Sequence, residues 1–157
     1  MTVLENVVVA ARQVEPDLAS AEAAAMHELA RMGLADHADK LASALAYGLR
    51  RRLEVARALA LKPRFLLLDE PAAGMNAVET AELVTILAAV RAERRIGVIL
   101  IEHDMRLVMN LCERIVVIDH GRVIADGAPA DVQKNPAVVA AYLGSRTARA
   151  HAETEPA

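Results

Sequence analysis

At 157 residues, the chain has the length of one domain with a sizeable core. Its formal charge of −3 and pI near 6.0 imply no broad basic surface and no nucleic-acid partner. Its one cysteine, Cys112, excludes an intrachain disulfide framework, and no run approaches the ~18 apolar residues of a membrane span.

The first residues, MTVLENVVVAARQVEP, carry no basic leader, so no signal peptide is read and a cytosolic setting is expected. Residues 3–12 are predicted as a short helix that breaks at VEPD. Asp17 or Ser20 caps a second helix with an apolar face of Met26, Leu29 and Met32, and Gly33 stops it. A polar connector leads to Gly48, which opens a helix over 49–60. Arg50, Arg51 and Arg52 on that helix point about 100° apart and form no single basic patch. Phe65 to Leu68 do not alternate with polar residues, so they read as a strand buried on both faces.

Asn76 caps the next helix, and Glu79 three residues on completes a capping box. Leu83, Ile86, Leu87 and Val90 give that helix one apolar face. A strand over 97–101 follows, then a helix capped by Asp104 and running through Glu113. A strand over 115–119 turns through His120-Gly121 into a hairpin. A last helix, 129–142, ends at Gly144, and the polar tail 145–157 is expected to be disordered. Strands separated by helices argue for an α/β fold with a mostly parallel sheet. The strandless first 45 residues suit an attached helical lobe.

Three segments carry chemistry. The strand FLLLDEP ends in two carboxylates, where a parallel sheet opens its ligand crevice. Asp69 there suits a Mg²⁺ ion bridging phosphates, and Glu70 suits polarisation of an attacking water. By themselves the two acids fit a solvated strand end equally well. In ILIEHD, His103 also follows directly on a strand and can donate a hydrogen bond to a γ-phosphate. His27, His37, His120 and His151 read as surface histidines. In LAYGLRRRLEVARALA, Gly48 permits close backbone approach before a helix N-terminus, an anion site. Alone, an ordinary amphipathic helix explains this segment better.

The order and spacing of the three resemble the nucleotide-binding subunit of an ABC transporter. LAYGLRRRLEVARAL stands where that family's Leu-Ser-Gly-Gly-Gln signature opens its helix. FLLLDEP matches its Walker B strand with the catalytic glutamate, AAGMN its D-loop, and IEHD its switch histidine. The resemblance runs from Thr2 to about Gly144. Within the family the wording is most similar to subunits that drive import of branched-chain amino acids. The resemblance implies a partial P-loop NTPase fold: a helical subdomain over 1–48, then the C-terminal part of the ATPase core over 49–144. It implies Glu70 and His103 as catalytic residues and Asp69 as the metal ligand. Ala46, Tyr47, Gly48, Leu49 and Asn76 become nucleotide-binding residues. ATP and Mg²⁺ are the implied cofactors. The implied partners are a second ATP-binding subunit and transmembrane permease subunits, with the chain on the inner face of the cell membrane.

Two departures stand out. The family's phosphate loop, G-x-x-x-x-G-K-[ST], is absent: Lys40, Lys62 and Lys134 are the only lysines, and none follows a glycine. The family's Q-loop glutamine is absent too. In the signature, Ala46 replaces the serine and Leu49 the glutamine. The chain therefore resembles the C-terminal part of such a subunit and is expected to hydrolyse no ATP alone. The alternatives are a non-catalytic module that lends its signature to an intact partner, or a truncated reading frame. The family's sheet further implies a strand between 97–101 and 115–119 that this sequence does not supply.

Overall fold

In the computed structural model, residues 1–141 are described, and they open with a helical lobe. Helix α1 (Val3–Ala11) begins at a complete capping box. The Thr2 hydroxyl accepts the Glu5 N–H at 3.1 Å, and the Glu5 carboxylate accepts the Thr2 N–H at 2.7 Å. Helix α2 (Leu18–Arg31) is capped by Asp17, whose carboxylate accepts the Ser20 N–H. It ends in a Schellman pair, Leu34 N–H to Leu29 O and Gly33 N–H to Ala30 O. Helix α3 (Tyr47–Ala60) starts two residues earlier than the sequence suggested. The three helices pack on one another. Val3, Val7, Ala11, Ala21, Ala25, Leu29, Ala56 and Leu59 are sealed from solvent at their contacts, and the small alanines let the axes approach.

The buried side of α2 differs from its expected apolar face. Leu29 and Met32 are buried, but Met26 is exposed, and Ala21, Ala25 and Glu28 take its place. Glu28 is tolerated there because Arg94 pairs with its carboxylate, while Arg94 also donates to the Leu59 carbonyl at 3.0 Å. Arg31 pairs with Glu93 at 2.6 Å, so the end of α2 is tied to the end of helix α4 (Ala77–Arg94).

Strand β1 (Phe65–Asp69) lies parallel to β2 (Gly97–Ile101), with Phe65 opposite Gly97 and Asp69 opposite Ile101. The expectation that β1 is buried on both faces fails. Leu66 and Leu68 are buried, whereas Leu67 is 70% exposed and Phe65 lies open beside it. On the second face of this two-stranded sheet, Leu67, Ile99 and Ile101 lie uncovered among the described residues. An unalternating apolar run reports a strand suited to two covers, not the presence of both.

Helix α5 (Met105–Leu111) is shorter than predicted. Strands β3 (Ile115–Asp119) and β4 (Arg122–Gly127) form the expected hairpin around His120-Gly121. A register shift after Val117 leaves Ile124 as the extra residue of a bulge. The predicted last helix is two pieces. Helix α6 (Pro129–Lys134) stops at Asn135, which adopts an extended conformation, and helix resumes over 136–141. The cause is Pro136, which disfavours helical geometry in the residue before it. The predicted helix end at 142–144 and the tail 145–157 lie outside the described residues. The helical lobe, α4 and the β1–β2 sheet belong to one compact unit, Met1–Leu107, and a second unit begins at Val108. The core of the second unit includes Ile115, Ala125, Val132 and Val138. No helix among the described residues is long and apolar enough to cross a membrane.

Candidate functional site

The parallel pairing of β1 with β2 brings their C-terminal ends to one edge. Asp69 ends β1 opposite Ile101. Glu70 turns out of the strand at φ 45°, a left-handed conformation unusual for a residue with a Cβ. Its N–H donates to the Ile101 carbonyl at 2.9 Å, and its own carbonyl accepts the Ala73 N–H at 3.1 Å. Beyond β2, the His103 ring reaches back so that Nδ1 lies 3.3 Å from Glu70 Oε1. The two residues that the sequence placed at equivalent strand ends thus meet. Both are open to solvent, their side chains 52% and 69% exposed. An open acid–imidazole pair of this kind can pass or hold a proton for a group entering from outside.

The segment Ala46 to Leu49 lies at the start of α3. Ala46 is the N-cap residue and supplies no side-chain oxygen, so the first-turn N–H groups are left for another acceptor. Gly48 is buried against α4: a Cβ there would sit 3.1 Å from Glu79 Oε1. Glu79 completes the predicted capping box, accepting the Asn76 N–H at 2.9 Å. Asn76 Oδ1 accepts the Val78 and Glu79 N–H groups at 2.9 and 3.0 Å, so its carbonyl is committed to the cap. The Tyr47 ring lies over Gly74, where a Cβ would be 2.8 Å from its Cε1.

Arg51 donates to the Tyr47 hydroxyl at 2.7 Å and to Glu54 at 2.8 Å. Glu54 and then Tyr47 hold its guanidinium above the usual arginine range. The neighbouring arginines diverge. Arg50 donates to the Leu45 and Ser43 carbonyls, and Arg52 pairs with Glu82. A shallow pocket of about 160 Å³ joins α3 to the strand end, with Arg51 and Val55 on one side and Asp69 and Pro71 on the other.

Sequence reasoning passed over Glu102. Its side chain is only 2% exposed, and its two oxygens accept the backbone N–H groups of Ala72, His103 and Asp104. An acid flush against an apolar strand and next to a candidate histidine was the available signal. For a divalent cation, no cluster of three or more ligating side chains exists among the described residues. Asp69 offers one carboxylate. That fits Mg²⁺, which commonly takes one or two protein carboxylates and completes its shell with water and phosphate oxygens.

Residues 1–73 match the ABC transporter family, and residues 122–148 match the family described as branched-chain amino acid ATP-binding cassette transporter. The fold is shared with the ADP conformation of MJ1267, an ATP-binding cassette of an ABC transporter. That likeness has a TM-score of 0.77 and 25% identity, over 92% of this chain and 63% of that one. By these matches the chain is similar to part of the ATP-binding subunits of ABC transporters.

Within that class it is related to branched-chain amino acid importers. It is 49% identical over 120 residues to the high-affinity branched-chain amino acid transport ATP-binding protein BraF of Pseudomonas aeruginosa, over 76% of this chain and 47% of the relative. It is 43% identical over 159 residues to LivG, of the same description, from Escherichia coli, over 92% of this chain and 62% of the relative. The chain therefore spans only about half to three fifths of these relatives.

Proposed function

We propose that this chain carries the hydrolytic and signature residues of an ATPase that powers import of branched-chain amino acids. It works with a second ATP-binding subunit and with permease subunits, at the cytoplasmic face of the membrane. The observation that carries the reading is the meeting of Glu70 and His103 at the ends of two parallel strands. In this reading Glu70 accepts the proton of the attacking water, and His103 hydrogen-bonds the oxygen where charge develops. Mg²⁺, held through Asp69, supplies charge neutralisation at the phosphates. The uncapped start of α3 at Ala46, with Tyr47, Gly48 and Leu49, closes on a nucleotide through its free N–H groups. Asn76 takes part by fixing the start of α4 against Gly48 and by the side-chain N–H groups its cap leaves over.

The cradle of backbone N–H groups and lysine that ordinarily holds the triphosphate is absent from this sequence. The isolated chain is therefore expected to turn over no ATP. The same absence favours a second reading, in which the chain lends only its signature to a nucleotide held by a partner. Two substitutions in the assembled ATPase separate the readings. Gly48→Asp, which sets a carboxylate against both Glu79 and the incoming phosphate, abolishes turnover under either. Glu70→Gln abolishes it under the first alone. Full turnover in both variants would refute both readings.

A further inference from the structure

The Glu102 carboxylate holds backbone beside both candidate catalytic residues, and its Oε2 lies 3.8 Å from His103 Nδ1. It follows β2 directly, and its side chain is almost wholly sealed from solvent. Oε1 accepts the N–H of Ala72 at 3.2 Å. Oε2 accepts the N–H of His103 at 3.0 Å and of Asp104 at 3.3 Å. One carboxylate therefore binds the turn that follows Glu70 and the backbone that carries His103. A buried charge is tolerable only when its oxygens are hydrogen-bonded, and three N–H groups satisfy both of them here.

The need for such an anchor is visible at Glu70. Its φ of 45° is a conformation that non-glycine residues hold only where the surroundings over-determine it. The chain on its N-terminal side is fixed by β1, whose last residue pairs in register with Ile101. Its own N–H is fixed on the Ile101 carbonyl at 2.9 Å. On the C-terminal side the turn is closed by Ala73 N–H to Glu70 O and Met75 N–H to Ala72 O. Those bonds are internal to the turn, so they shape it without locating it. The bond from Ala72 to Glu102 ties that side to the β2 end. With it in place, the Glu70 carboxylate stays 3.3 Å from His103 Nδ1.

Resting on the functional reading above, we propose that Glu102 is a positioning residue for the hydrolytic pair: its carboxylate holds the Glu70 turn and the His103 backbone in one frame. The chemistry demands a glutamate. A carboxylate is acceptor-only on both oxygens, so it serves N–H groups on two sides at once. Glutamine keeps the shape but offers one oxygen and one NH₂ group. It must set a donor against either the Ala72 N–H or the His103 and Asp104 pair. Aspartate is one methylene shorter and does not span both.

Two measurements on Glu102→Gln test this. In the chain itself, amide hydrogen exchange at Ala72, His103 and Asp104 should accelerate at least tenfold on one side of the clamp, while amides of α1 to α3 keep wild-type rates. In the assembled ATPase, kcat should fall at least tenfold with KM for ATP within twofold, because nucleotide contacts elsewhere are untouched. Glu102→Asp should fail to restore kcat. Unchanged exchange at all three amides overturns the clamp. Accelerated exchange with kcat within twofold of wild type, in an assay where Glu70→Gln abolishes turnover, makes Glu102 structural only and overturns its positioning role. Full turnover of Glu70→Gln in the same assay removes the site reading itself, and the positioning role with it.

Discussion

Gly74 and Tyr47 show how tightly single residues are specified around the site. Gly74 holds φ 72° directly beneath the Tyr47 ring. A left-handed conformation costs an L-residue about 1–2 kcal/mol, and a Cβ there would also collide with the ring. Gly74→Ala is expected to lower stability by about 2 kcal/mol, combining the backbone term with displacement of the ring. In a Tyr47→Ala background only the backbone term remains, so the loss should shrink toward about 1 kcal/mol. Urea unfolding of the four chains measures the difference, and equal losses in both backgrounds would show that the ring contact contributes nothing. The strand-end positions of Asp69, Glu70 and His103 were legible in the sequence, because Asp69 and Glu70 close one apolar run and His103 lies just past another. The burial of Glu102 was not, because it depends on the N–H of Ala72, 30 residues away in sequence. Nor was Glu28, whose place in the core depends on Arg94 of another helix.

Among the elements, those specified locally were the most legible. The Asn76–Glu79 box and the His120-Gly121 hairpin are each written in a few adjacent residues. Asn76→Ala should cost about 1 kcal/mol. It should also loosen the first turn of α4, against which Gly48 packs, and amide exchange at Val78 and Glu79 is the check. The break in the last helix at Asn135-Pro136 was equally local and was overlooked. The burial of β1 was not legible, since what covers a strand face is set by distant chain.

The hairpin carries a titratable link of its own. Arg114 donates to both carboxylate oxygens of Asp126, at 2.8 and 2.7 Å, and these bonds hold the Asp126 carboxyl below the usual carboxylate range. A lowered folded value means that the pair's stabilisation is complete above the ordinary carboxylate pKa. It is lost as pH falls through the lowered value. Carbon-detected titration of Asp126 should show the depressed midpoint in the wild type and an ordinary one in Arg114→Leu. No shift between them would remove the pair's role.

At the scale of the whole molecule, a sheet of two strands is marginal by itself, and stability usually needs a third strand or a second cover. Leu67, Ile99 and Ile101 on one sheet, and Ile118 and Val123 on the hairpin, lie exposed, and the relatives are longer than this chain. Despite the open faces, the α/β order and the parallel strand pair were legible in the sequence. They set Glu70 beside His103, and that pair is the centre of the functional account. The most direct test places ATP hydrolysis and ATP binding side by side for Glu70→Gln in the assembled ATPase. The account predicts that turnover falls at least a hundredfold, about 2.7 kcal/mol of barrier, while the dissociation constant for ATP changes less than threefold. Hydrolysis within threefold of wild type would contradict it.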